Sequence, residues 1–413
     1  DVLVVGAGIA GILAAKNAAK NNLKTLLVDE KNELGGATIY QNREFNKIEN
    51  QSSSDWIKKE IQELKNLNNL EIKTRTSVAA FHGYNYLLAR ENLTDHLEKK
   101  EKQGKIRQRL LKIRAKKVIL ATGALERPLI FNNNDRPGIM LSSAVKKYAD
   151  FYGVVSGKKN VFFTNNDSAY ESALCLHNKG IKVEAVIDIR ENSGSKIVKA
   201  VKDVGIPIHW SHTIVDTKGY KRLNNISAMK LSNDGSSVTG SKIDIACDCL
   251  GIAGGWTPAV HLFTQSGGKL TFDETNKVFL PNKYPSEQIS VGSCNGDFKI
   301  KEIINNLSIN LKEFLNIEKT DFDNVTVESE DDNSKRNIWL LPSDKPLGKT
   351  KPFVDYQNDA TAKDIKLALR EGFRSIEHVK RYTTTGMGTD QGKLGNMHAL
   401  GIIADTADVK MGE

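Results

Sequence analysis

The chain opens on DVLVVGAGIAG, an apolar run broken by Gly6, Gly8 and Gly11. Glycines at that spacing, after a strand and before a helix, serve a bound dinucleotide in three ways. The first permits a tight turn, the second lets a pyrophosphate approach the backbone, and the third allows helix and strand to pack closely. The amino end of the helix then offers free N–H groups and partial positive charge to phosphate. The following strand, KTLLVDE, ends in Asp29 and Glu30, where acids accept hydrogen bonds from a ribose 2′-OH. An acid there also repels a 2′-phosphate, which favours NAD or FAD over NADP. The competing reading is a dinucleotide fold whose site has decayed.

The elements that must position these residues follow the same pattern twice. Residues 1–30 read as strand, glycine loop, helix, strand, and KNVFFT, SAYESALCLHNKG and KVEAVID repeat that order. The expected fold is α/β with two Rossmann-like dinucleotide-binding domains, the second inserted into the first as in disulfide reductases, followed by a small helical domain. The expected divisions are 1–156 with 244–300 for the first domain, 157–243 for the second, 301–345 as a helical linker and 346–413 as the helical domain. In the last of these, Thr361 and Asp364 have the spacing of a helix-capping pair.

Composition narrows the function classes. A chain of 413 residues with 39% hydrophobic content supports several cores, so a multi-domain globular protein is expected. Asp1 already lies in an apolar strand and ADTADVKMGE does not taper, which suggests a segment of a longer polypeptide. No run of 18 apolar residues and no signal-peptide pattern occurs, so a soluble cytoplasmic protein without a membrane role is expected. The net charge of +9 suits an anionic ligand or an acidic partner subunit, but much of the excess lies in 97–117, which reads as a solvated hairpin. Without interleaved aromatics it does not suggest nucleic acid binding. Cys175, Cys247, Cys249 and Cys294 form neither a disulfide framework nor a CxxC pair, which argues against a zinc site and against a disulfide reductase. His378 stands without a metal-binding partner, so no metal site is expected.

The second βαβ unit departs from the first where its glycine loop should be. Residues 162–173 read FFTNNDSAYESA, placing Thr164, Asn165, Asn166, Asp167 and Tyr170 where a pyrophosphate would need open backbone. A conventional NAD(P)H pocket is not expected there. Two readings are open: Asn and Asp cap the helix, or the loop serves another ligand or an interface.

ELGG (33–36), VILATGA (118–124) and ISVGSCNGD (289–297) resemble the two-dinucleotide-domain flavoproteins. Within that family Ala121, Gly123, Gly292, Asn295 and Gly296 would lie near the nucleotide, although the last three also read as plain turn residues. A narrower resemblance rests on ATGALERPLIFNNNDRPGIMLSSAV, FFTNNDSAYESAL, AGGWTPAVHLFTQSGGKLTFDE and the segment from KPFVDYQND to GTDQGK. These closely resemble the alpha subunit of heterotetrameric sarcosine oxidase, over essentially the whole chain. The resemblance implies a complex with beta, gamma and delta subunits that demethylates sarcosine to glycine, passing the methylene unit to tetrahydrofolate and electrons to oxygen. It implies FAD in a partner subunit, FMN at a subunit contact, and NAD in the first site of this chain without a part in turnover. The implied NAD contacts are Gly6, Gly8, Ala10, Gly11, Asp29, Glu30, Lys31, Gly36, Thr38, Val78, Ala121, Gly123 and Gly292. Candidate wall residues for the flavin are Asn165, Asn166, Asp167, Trp256 and His261, of which the last two also read as packing residues. No residue of this chain is expected to be catalytic.

The family's flanking ferredoxin-like and folate-binding domains have no counterpart in these residues. The segment 353–393 also resembles an iron–sulfur module of related dehydrogenase subunits, but Val354, Asp355, Tyr356 and Thr389 stand where its cysteines would be. Without thiolates it cannot hold a cluster. Two alternatives remain at this stage: a self-sufficient FAD/NAD(P)H oxidoreductase of the disulfide-reductase-like fold, and a subunit of a related amino-acid or opine dehydrogenase complex.

Overall fold

The computed structural model describes residues 1–40, 46–328 and 335–412. The chain divides into two compact units, Asp1–Ala124 with Pro258–Ser329 and Leu125–Thr257 with Glu330–Glu413. Among the described residues no helix is long and apolar enough to cross a membrane.

The first unit is built on a parallel five-stranded sheet. Its order is Gln288–Ser290, Lys117–Leu120, Val2–Val5, Thr25–Val28 and Leu70–Lys73. Val2 is level with Thr25 on one side and Lys117 on the other, so Val5 and Val28 end at one edge of the sheet. All four residues of the central strand Val2–Val5 are buried, as a strand covered on both faces requires. A three-stranded antiparallel sheet, Thr76–His82, Tyr86–Asn92 and Gln108–Arg114, belongs to the same unit.

The segment 301–345, expected as a helical linker, begins in the helix Ile300–Leu315. Ile300, Ile303, Ile304, Leu307, Leu311 and Leu315 fall on one face and are buried in a cluster with Ile12, Leu13 and Ile57. Part of that predicted linker, 329–334, lies outside the described residues. Lys16, on the helix Ile9–Lys20, is almost fully buried but carries three carboxylates, Glu60 at 2.6 Å, Glu63 at 2.6 Å and Asp321 at 3.0 Å. Burial disfavours its charge, and hydrogen bonds to these acids outweigh that and raise its pKa.

The second unit repeats the scheme. Its parallel sheet runs Ile139–Leu141, Cys249–Ala253, Lys159–Thr164, Lys182–Asp188 and Ile208–Trp210, and its antiparallel sheet is His212–Lys218, Asn225–Leu231 and Val238–Ile245. The helices Ala362–Arg370, Ile376–Thr383 and Asn396–Ala407 share a core with Ile130 and Trp339, so 346–413 packs within this unit. The sequence-based divisions at 156/157, 243/244 and 345/346 fall at other positions than the bounds of the compact units, 124/125, 257/258 and 329/330, and stand as a proposal about folding units. Thr361 and Asp364 form the expected capping box.

Where a cluster would be ligated, hydrogen bonds hold the segment instead. Asp355 is buried, with Oδ2 accepting from Gly386 N at 2.7 Å and Oδ1 from the Gln357 and Asn358 amides at 2.9 Å. Gln357 Oε1 accepts from Thr389 N at 2.6 Å and Thr389 Oγ1 at 2.9 Å.

Two buried titratable groups set opposite pH dependences in this unit. Glu126 Oε2 accepts the Ser143 N–H at 2.8 Å, at the start of the helix Ser142–Asp150, and Oε1 has no partner among the described residues. Burial pushes its pKa up to about 7. Its folded-state pKa therefore lies above the unfolded one, so its contribution is most favourable in acid and is lost as pH rises through about 7. Glu126→Gln is expected to raise stability at pH 8 by on the order of 3 kcal/mol, with little change near pH 4, as read from urea midpoints. A gain of equal size at both pH values would contradict this. His398 behaves oppositely. Burial first, then the Arg127 charge, push it down to about 3, so its contribution is present above its unfolded pKa and is lost as pH falls toward 3.

Candidate functional site

The site begins with what the three glycines do. A side chain at Gly6 would collide with the Ala121 carbonyl oxygen and one at Gly11 with the Gly6 carbonyl oxygen, so both are required by packing. Gly6 also has φ +101°, a conformation open to glycine. Gly8 differs. A Cβ there would meet nothing within 4 Å, and its backbone, at φ −74° and ψ −177°, suits any residue. The helix that follows, Ile9–Lys20, has no side-chain cap and no acid in its first turn. Its leading N–H groups therefore lack a side-chain acceptor from the capping residue, and the helix dipole there favours an anion.

Several of the residues expected at the nucleotide converge on this loop. A Cβ on Gly36, at φ +58°, would lie 2.9 Å from Gly8 Cα, and one on Gly292 would lie 2.8 Å from Ala10 Cβ. Gly35 N donates to Ala7 O at 2.7 Å and Ala121 N to Val5 O at 2.8 Å. Thr38 is buried in the short turn Thr38–Tyr40. Val78 is partly buried against the cluster containing Leu3, Val5 and Val28. Gly123 adopts φ +74°, with open space where a side chain would be.

The two acids at the strand tip divide their work. Asp29 Oδ2 accepts the Ala7 N–H at 2.6 Å and Oδ1 the Lys31 N–H at 2.8 Å, so this carboxylate braces the glycine loop. Glu30 and Lys31 are exposed and line an open cavity of 340 Å³. Sequence reasoning missed Asp297. It follows Gly296, accepts from Asn306 Nδ2 at 2.5 Å through Oδ1, and leaves Oδ2 buried with no partner among the described residues. Burial, foremost, pushes its pKa up to about 6. The NGD triplet after the closing strand carried the signal.

In the second unit the corresponding space is filled by the chain's own side chains. Asp188, the last residue of Lys182–Asp188, is level with Thr164 and fully buried. It accepts from the Tyr170 hydroxyl at 2.8 Å and from Arg190 Nη2 at 2.8 Å. Arg190 Nη2 also reaches Asp167 Oδ1 at 2.7 Å, and the guanidinium lies 5.9 Å from the ring centres of both Tyr170 and Trp210. Burial disfavours the Arg190 charge, but hydrogen bonds to Asp188, foremost among the opposing effects, raise its pKa. Asn166 Oδ1 accepts from Ser168 N at 2.9 Å at the start of the helix Ser168–Asn178. Asn165 Nδ2 donates to the Arg336 carbonyl at 3.1 Å, and Asn166 Nδ2 to Asn165 Oδ1 at 2.7 Å. Both Asn side chains are buried. Asn166 thus fills the helix start, while the Asp167 carboxylate turns to Arg190. Trp256 in this unit is partly buried, and His261 in the first unit is exposed at the start of His261–Gln265.

The four cysteines are free thiols, and burial pushes Cys247 and Cys249 up to about 12. Among the described residues no group of three His, Cys, Asp or Glu side chains could hold a metal ion. The chain's own residues therefore offer nucleotide-binding geometry at the first loop, without a thiolate to pair with it.

Paired parallel sheets, a glycine loop at the first strand and a filled loop at the second define a dinucleotide-fold protein of the disulfide-reductase type. The chain belongs to the pyridine nucleotide-disulphide oxidoreductase family, whose model matches residues 1–284. Residues 349–413 match the sarcosine oxidase A3 domain. The chain is 35% identical to the sarcosine oxidase subunit alpha of Corynebacterium sp. (strain P-1), over 98% of this chain and 42% of that protein. It is 33% identical to the subunit of the same name from Rhizobium meliloti (strain 1021), over 100% of this chain and 40% of the relative. It thus spans about two fifths of the length of these curated relatives. Among solved structures, L-proline dehydrogenase from P. horikoshii has a TM-score of 0.70 at 22% identity, covering 100% of this chain and 75% of that one. T. acidophilum thioredoxin reductase has a TM-score of 0.56 at 18% identity, covering 77% of this chain and 97% of that one. At these identities the likeness is one of fold.

Proposed function

We propose that this chain is the nucleotide-holding part of the alpha subunit of a heterotetrameric sarcosine oxidase, binding NAD in its first site and carrying no catalytic residue of its own. The contrast between the two loops carries the reading: an open Gly8 before an uncapped helix, against a second loop closed by Asn166, Asp167 and Arg190. The first-loop N–H groups would face the pyrophosphate, and Glu30 would accept the ribose hydroxyls while Asp29 holds the loop. Lys31, Gly36, Thr38, Val78, Ala121, Gly123 and Gly292 complete the proposed NAD set. Asp297 joins it through its unpartnered buried oxygen.

In the same proposal the beta, gamma and delta subunits complete the complex, FAD belongs to a partner, and FMN is shared at a contact. The bound flavins would supply the redox chemistry of sarcosine demethylation, with tetrahydrofolate receiving the methylene unit. Asn165, Asn166, Asp167 and Trp256 of the second unit, and separately His261 of the first, remain proposed flavin contacts, with the Asn and Asp side chains engaged within their own unit. A cytoplasmic location accords with this role.

The test is to purify the chain alone and co-expressed with its presumed partners, release bound small molecules, and identify them by mass. NAD on the chain alone, and sarcosine turnover only in the complex, are expected. FAD on the isolated chain with NAD(P)H oxidation would establish the self-sufficient oxidoreductase instead.

A further inference from the structure

Beyond the strand tip that ends in Asp29 and Glu30, the first unit carries a cavity of 340 Å³ lined by Glu30, Lys31, Arg75, Ser77, Arg90 and His96 among others. Its backbone frame is fixed. Arg75 N donates to Lys31 O at 2.8 Å, Arg75 O accepts from Asn92 N at 2.9 Å, and Arg75 itself adopts φ +51°, an unusual value for a non-glycine residue. Ser77 and Arg90 are directly paired across two antiparallel strands, so they reach the cavity from one register position.

The charge in this cavity is unbalanced. Lys31, Arg75 and Arg90 are basic, and Glu30 is the single acid in the lining. Neighbouring acids are engaged elsewhere: Glu91 with Lys73 at 3.3 Å and Arg109 at 3.4 Å, and Asp95 with Arg107 at 2.6 Å. Among the described residues neither Arg75 nor Arg90 has a carboxylate within ion-pair distance. Guanidinium forks match phosphate oxygens in pairs, and an arginine beside the second-strand tip is how a dinucleotide site takes a ribose phosphate.

We propose that Arg75, Arg90 and Lys31 form a subsite for a phosphomonoester on the adenosine ribose, so that the first site accepts NADP as well as NAD. This rests on the dinucleotide reading of the glycine loop. Glu30 alone would reject a 2′-phosphate. Three cations sharing its cavity offset that repulsion, and Ser77 adds a hydroxyl donor.

Calorimetric titration of the nucleotide-stripped chain with NAD, NADP and inorganic phosphate tests this. NADP is expected to bind within about tenfold of NAD, and more weakly as salt rises. The Arg75→Gln/Arg90→Gln double variant is expected to lose on the order of 100-fold for NADP and less than about threefold for NAD, whose retained binding reports an intact fold. Inorganic phosphate should compete with NADP and leave NAD unaffected. The proposal is overturned if NADP binds about 100-fold more weakly than NAD, or if the double variant weakens both nucleotides equally. It is also overturned if phosphate binding depends on the two arginines while NADP binding does not. If neither nucleotide binds, the glycine-loop reading falls with it, an outcome distinct from loss of NADP alone.

Discussion

Gly8→Val is expected to abolish nucleotide retention while leaving the fold intact. A Cβ at this position meets no protein atom within 4 Å and its backbone is ordinary extended chain, so the apoprotein should melt within about 2 °C of the parent. The same side chain stands where a pyrophosphate must approach the backbone. NAD affinity should fall at least about 100-fold, or roughly 3 kcal/mol. Gly11→Val makes the complementary case. Its Cβ would strike the Gly6 carbonyl, so this variant should lose stability and nucleotide together. Thermal melting of the two variants with and without NAD separates the effects. A Gly8 variant that melts far below the parent without ligand would show that the loop is closed by packing and leaves no room for a pyrophosphate.

Arg190→Ala is expected to produce the largest loss of stability, roughly 3–5 kcal/mol. Arg190 is almost fully buried between Asp167 and the fully buried Asp188, and its removal leaves the Asp188 charge with the Tyr170 hydroxyl as its remaining side-chain donor. Arg190→Met with Asp188→Asn should recover much of the loss, because the uncompensated charge is gone and the apolar stem still lies against Tyr170 and Trp210. Urea unfolding of both variants measures this. Because the damage is confined to the second unit, NAD binding at the first loop should persist below the unfolding transition. A loss under about 1 kcal/mol for Arg190→Ala would mean the site is hydrated and open, and the second loop would again be a candidate nucleotide pocket.

What was legible in the sequence follows from how local each device is. The turn at Gly6, Gly8 and Gly11, the acidic strand tip and the Thr361–Asp364 cap each lie within a few residues, and local sequence dictates them. FFTNNDSAYESA was legible only as a departure. Its partners, Asp188, Arg190 and Arg336, lie 18 to 171 residues from the groups they meet, and only folding brings them to Tyr170, Asp167 and Asn165. The division of labour between Asp29 and Glu30 was hidden for another reason. Both side chains suit a ribose, and the Ala7 amide decides which is engaged. The helical character of Ile300–Leu315 was legible in its sequence, whereas its burial in the first unit depends on partners such as Ile12, Leu13 and Ile57 that lie far away along the chain. The cations at Arg75 and Arg90 were masked by a chain-wide excess of basic residues.

The most direct test of the account is to count nucleotide sites. Equilibrium titration of the stripped chain with NAD should give a single site per chain, lost in Gly8→Val and retained in Asn166→Ala. Two sites, or one that survives Gly8→Val and disappears with Asn166→Ala, would contradict the assignment of the first loop as open and the second as closed.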